Sequence, residues 1–114
     1  MINKEAWMAQ VHALSGERVS LRPLGASLGQ ARTTAILKTP QLELIRLVLR
    51  QGATLPEHHV AGDMTLLCIE GSVELSLPTG VVSLQPQDLI HVTGGVRHGL
   101  VATADASLLL TIRL

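Results

Sequence analysis

Apolar and polar residues alternate with a period of two through most of the chain beyond residue 17, the repeat of strands that bury one face. The cleanest run is 72–77, where Val73, Leu75 and Leu77 oppose Ser72, Glu74 and Ser76. Residues 107–114 likewise put Leu108, Leu110, Ile112 and Leu114 on one face. Turn signals separate the runs: Pro78-Thr79-Gly80 leads into 81–84, Gln85-Pro86-Gln87 into 88–92, and Thr93-Gly94-Gly95 toward His98 and a strand over 99–103. Upstream, the pattern predicts strands over 17–24, carrying Val19 and Leu21, and over 30–38, stopped by Thr39-Pro40. Residues 41–50 are apolar on both phases, with Leu42, Leu44 and Val48 on one and Ile45, Leu47 and Leu49 on the other. A strand of that kind is covered on both faces, by another element or by a second subunit. A single helix is expected, over 4–14, with Asn3 as cap, Trp7, Val11 and Leu14 on one face, and Gly16 at its end.

Short strands punctuated by turns indicate an all-β sandwich or barrel. With 114 residues there is room for one domain. Residues 1–16 are assigned to a helix packed on the barrel and 17–114 to the barrel itself. Hydrophobic residues make up 46% of the chain, yet Phe and Tyr are absent and Trp7 is the only aromatic residue. The core is therefore aliphatic.

Nine basic residues balance nine acidic ones. That composition offers neither a basic stripe for phosphates nor aromatic platforms for bases, so no nucleic-acid partner is expected. No apolar run approaches the length of a membrane span, and the first residues lack the apolar core of a signal peptide. Cys68 is the only cysteine, which excludes an internal disulfide and suits a reducing cytoplasm, the expected location. Its apolar surroundings mark it as a small buried hydrophobe. Zero net charge and strands apolar on both faces together predict a homodimer.

Residues 52–98 carry the candidate chemistry. Gly52 is followed by five residues and then His58, and Gly71 closes the segment. Gln87-Asp88, the apolar run 89–92, Gly94-Gly95 and His98 follow. This arrangement resembles the two signatures of the cupin superfamily. The first is Gly, five residues, His, one residue, His, three or four residues, Glu, six residues, Gly; the second has Gly-Asp, an apolar strand, Pro-Gly and His. The resemblance covers about residues 40–114 and implies a jelly-roll β-barrel with the two signatures on adjacent strands. The small-molecule or metal site would then lie in the barrel mouth. Only His58 and His98 match the four ligands of a full cupin metal site. Val60 stands at the second histidine, and the glutamate falls on Met64 or, with the longer spacing, Thr65.

Two imidazoles can share a transition metal, for which zinc, iron, nickel or copper suit nitrogen donors better than magnesium or calcium. Equally, they can form a hydrogen-bonded pair in a metal-free pocket. Further candidate ligands are His59, if a bulge turns it inward beside His58, and His91, whose facing the pattern leaves open. Asp63 is near enough in sequence to swing in. Glu70 and Glu74 read as edge or surface charges, and Arg46, Arg50 and Arg97 as arginines at a sheet edge or subunit interface. No nucleophile triad, phosphate loop or zinc motif is present, so no residue is assigned a catalytic role and no organic cofactor is implied.

The expected function is binding of a small molecule, with or without a divalent metal, through His58 and His98. The alternatives are a metal-dependent cupin enzyme such as a dioxygenase, and a non-catalytic sensor or interaction module.

Overall fold

The computed structural model describes residues 12–114 and contains nine strands and one short 3-10 helix. The helix is Gly25–Gln30. In chain order the strands are β1 (Thr34–Lys38), β2 (Leu42–Leu49), β3 (Thr54–His58), β4 (Met64–Glu70), β5 (Val73–Leu77), β6 (Gly80–Leu84), β7 (Leu89–Val92), β8 (His98–Ala102) and β9 (Ala106–Arg113). They form two sheets, a five-stranded one ordered β1-β2-β9-β4-β7 and a four-stranded one ordered β3-β8-β5-β6. All pairings are antiparallel. This is the all-β jelly-roll barrel that the alternation and the signatures predict. No described helix is long and apolar enough to cross a membrane.

The two inner faces meet in one aliphatic core. Leu66, Cys68, Val73, Leu75, Ala102, Ala106 and Leu108 are all within 1% of complete burial there. Register explains how strands from distant parts of the chain reach it. Cys68 lies opposite Leu108, and Leu47 opposite Leu108 from the other side, so all three point inward together.

Tight joints between strands require particular residues. Gly71, between β4 and β5, has φ +77°, and a Cβ there would sit 2.0 Å from the carbonyl oxygen of Asp105. Both facts demand glycine. Gln87 also has a positive φ, +77°, at the position where the second cupin signature has glycine. Its N–H donates to the carbonyl of Cys68 at 2.8 Å, so the turn keeps its geometry at the expense of backbone strain.

The upstream expectations need correction. Residues 17–24 form no strand, and the strand expected over 30–38 begins only at Thr34. Residues 13–33 instead run as a strap, with the 3-10 helix inside it, along the outer face of the five-stranded sheet. Weak alternation through Val19 and Leu21 did not survive the Pro23 and Gly25 that follow. The helix expected over 4–14 lies outside the described residues except for its last three, which are not helical.

Two arginines of β2 and its end hold the strap down. Arg46 donates through Nη2 to the carbonyl of Arg22 at 2.6 Å and to Ser107 Oγ at 3.3 Å. Arg50 donates to the carbonyls of Leu28 and Ala31. Glu70 accepts from the backbone N–H groups of Leu24 and Gly25 at 2.8 and 3.0 Å, and from the Ser107 hydroxyl. Arg46 and Glu70 are thus not edge or surface charges. They form a buried ion pair under the strap, with side chains only 10% and 14% exposed. Sequence alternation places Arg46 on the outer phase of β2 but cannot see the strap that covers it.

Candidate functional site

The site forms where β3 and β8 pair at the open end of the barrel. His58 ends β3, His98 begins β8, and the two are register partners. A register shift between Leu55 and His58 accompanies Pro56, which has no N–H for the ladder. Beyond the strands, two loops are tied together. Gly95 N–H donates to the Val60 carbonyl at 2.7 Å, and Gly94 N–H to Asp63 Oδ1 at 2.8 Å. The approach is so close that a Cβ on Gly94 would lie 2.3 Å from the Ala61 carbonyl oxygen. This explains the glycine at that position in physical terms. The tie fixes Val60 beside the histidines.

The imidazole rings of His58 and His98 lie with centroids 4.5 Å apart, tilted by 58°. His98 is buried and His58 is exposed. Each ring is oriented by its own backbone. His58 Nδ1 is 2.9 Å from the Pro56 carbonyl oxygen, and His98 Nδ1 is 3.0 Å from that of Val96. A carbonyl only accepts, so each Nδ1 carries the proton and the lone pair of each neutral ring lies on Nε2.

Both rings line a cavity of about 50 Å³ between the sheets, walled by Leu55, Val60, Met64, Leu66, Leu100 and other aliphatic side chains. The volume admits a few water molecules or a small group rather than a drug-sized ligand. Two larger grooves, of about 400 and 390 Å³, include neither histidine, although the first shares Met64 with the cavity.

The other candidates are placed elsewhere. His91 pairs with Thr65 on β4, whereas the neighbouring Val92 and Met64 are buried, so the imidazole lies on the outer face. Its Nε2 is 3.6 Å from Asp63 Oδ2. Asp63 therefore does not swing inward; the Gly94 N–H bond, aided by His91, holds its carboxyl below the usual carboxylate range. His59 is exposed and does not line the cavity. Glu57 and Arg97 pair with each other at 3.0 Å, both well exposed. Register resolves the choice at the glutamate position: Met64 lines the cavity and Thr65 faces out. Among the described residues, no three His, Cys, Asp or Glu side chains are grouped to hold a metal ion. The donor set does not fit a divalent ion held by four protein ligands, because Val60 and Met64 occupy two of those places.

No protein-family model matches the sequence, and no curated protein does. Solved structures match well. A cupin superfamily protein from Desulfitobacterium hafniense is 14% identical, with 86% of this chain and 99% of that one covered at a TM-score of 0.71. An RmlC-like cupin from Shewanella frigidimarina is 19% identical over 90% and 88% of the two chains, at 0.69. KdgF from a Halomonas species is 22% identical over 71% and 76%, at 0.67. At these identities the likeness establishes the fold, and the fold is that of a small cupin.

Proposed function

We propose that this cupin barrel is a binding module whose site is the His58–His98 pair and the apolar cavity behind it. One observation carries the reading: two imidazoles, each fixed by an Nδ1–H bond to a backbone carbonyl, share the lining of a cavity that is otherwise aliphatic. Rings held in this way present preorganised acceptors without further ordering cost. The matching ligand is small, with an apolar part for the cavity and either a hydrogen-bond donor or a cation for Nε2. Among the described residues, no general acid, nucleophile or full ligand set accompanies the pair.

The test is long-range proton–nitrogen NMR of the imidazole rings during titration with small amphiphilic fragments and with transition metals. Both rings are expected in the Nδ1–H form, with His58 and His98 shifting together on binding while His59 and His91 stay put. Absence of any coupled shift across the panel would refute the reading.

The protein is further proposed to pair with a second copy of itself. On the outer face of the five-stranded sheet Leu42, Leu44, Leu67 and Leu109 are only half-buried, and Leu89 is 63% exposed. Register sets Leu109, Leu67 and Leu89 side by side across β9, β4 and β7, an apolar row suited to a second copy, and no net charge opposes association.

A further inference from the structure

We propose that His58, His98 and Met64 form a three-donor site for a soft monovalent cation, copper(I). The inference rests on the binding reading of the histidine pair and adds the third donor and the class of ion.

Met64 begins β4, where it lies opposite Val92 and Ile112, and it is 5% exposed. Its side chain lines the same cavity as both imidazoles. Among the described residues it supplies the only sulfur in that lining, since Cys68 directs its Sγ toward the carbonyls of Glu70 and Gly71. The cavity lining therefore includes two imidazoles and one thioether. Thioethers select copper(I), and imidazole suits copper as well.

Charge points the same way. All three donors are neutral, and the acidic groups nearest in sequence are engaged elsewhere: Glu57 with Arg97, Asp63 with Gly94 and His91, and Glu70 with Arg46 and the strap. An ion entering this cavity keeps its full charge uncompensated. Its desolvation cost grows with the square of that charge, so a monovalent ion loses a quarter of what a divalent ion of the same radius loses. A neutral donor set in an aliphatic wall thus discriminates against zinc, nickel and ferrous ions. Volume agrees too, because about 50 Å³ accommodates an ion with at most a water or two.

The experiment is an anaerobic competition for copper(I), supplied as its acetonitrile complex, between the purified protein and the chromophoric chelator bicinchoninate. Zinc(II) binding is measured separately with a zinc dye. Met64→Leu conserves volume and His98→Ala removes a nitrogen; the amide spectrum of each variant is recorded to verify its fold. The parent is expected to withdraw one equivalent of copper(I) and to bind zinc only weakly, and Met64→Leu to bind copper(I) at least tenfold more weakly while its weak zinc binding does not change. His98→Ala is expected to lose copper(I) altogether. Equal copper(I) affinity in the parent and a folded Met64→Leu overturns the thioether ligand, and failure of the parent to compete overturns the site. If either occurs while the two imidazoles still respond to fragments, the copper inference falls and the binding reading stands. Silence of the imidazoles toward every probe removes both.

Discussion

Arg46 and Glu70 meet at 3.5 Å across β9, which separates their strands, and the hydroxyl that bridges them belongs to Ser107 on that intervening strand. Three consecutive strands of the larger sheet are thereby joined on its outer face, and the strap is fastened to the same point.

Glu70 is the element most sensitive to acid. Burial alone pushes its carboxyl up, but the N–H groups of Leu24 and Gly25, the Ser107 hydroxyl and Arg46 together outweigh that and hold it below its ordinary value. A depressed folded pKa contributes stability that is complete above the unfolded value of 4.5 and disappears as pH falls through the folded value. Glu70→Gln is expected to cost about 1.5–3 kcal/mol at pH 7, as for hydrogen bonds to charged groups. It should also flatten the stability profile below pH about 4.5, the ordinary glutamate range. Urea melts of both proteins between pH 3 and 7 measure this, and parallel profiles would contradict it.

Cys68 is fully buried, and desolvation raises its thiol pKa above the usual value. It should be unreactive to a thiol-exchange reagent at pH 8 in the native protein and react at once in denaturant. Rapid labelling without unfolding would show that the core opens at this strand.

Gln87 holds a left-handed backbone conformation that costs a side-chain-bearing residue roughly 1–2 kcal/mol, against about 0.5–1 kcal/mol of extra chain entropy for glycine. Gln87→Gly is therefore expected to stabilise the fold by about 0.5–1 kcal/mol. Thermal denaturation decides it, and a lower midpoint for the variant would mean that the glutamine side chain contributes more than its turn costs.

Val60 and Met64 share the cavity lining with His58 and His98, so the double substitution Val60→His, Met64→Glu should assemble four donors around one point. Near-stoichiometric zinc or nickel retained after desalting, by elemental analysis, is the expected result. Metal content no higher than in the parent would show that these side chains do not converge.

Sedimentation at micromolar concentration should give twice the chain mass, and Leu109→Glu on the half-buried outer strip should return it to the monomer. A parent that sediments as a monomer removes the dimer proposal.

Much of the barrel was legible in the sequence because its strands bury one face, and period-two alternation records burial directly. Residues 72–77 and 107–114 show it, whereas β4 is apolar on both phases, with Leu66 and Cys68 on one and Leu67 and Ile69 on the other, so its register with β9 came from the structure. His58 and His98 were identifiable by spacing, and structure adds the backbone carbonyls that set their tautomers. The strap was misread because its cohesion lies in backbone groups offered to Arg46, Arg50 and Glu70, contacts that leave no periodic trace. Glu70 illustrates the limit: a carboxylate beside a glycine at a strand end looks solvated until two N–H groups 45 and 46 residues away are found on it. The glutamate position needed the structure as well, since a spacing of three or four cannot choose between Met64 and Thr65 when adjacent residues face opposite ways.

The place of β9 between β2 and β4 has a consequence for how the chain is made. β9 is the latest strand in the sequence and occupies the middle of its sheet. During synthesis β2 and β4 leave the ribosome with their inner edges unpaired and wait for Ala106–Arg113 to arrive. Until then their aliphatic faces are exposed, and closure depends on contacts between residues more than 50 positions apart, such as Leu47 with Leu108. The nascent chain is thus most prone to aggregate just before β9 emerges, and protection by a chaperone matters most at that stage.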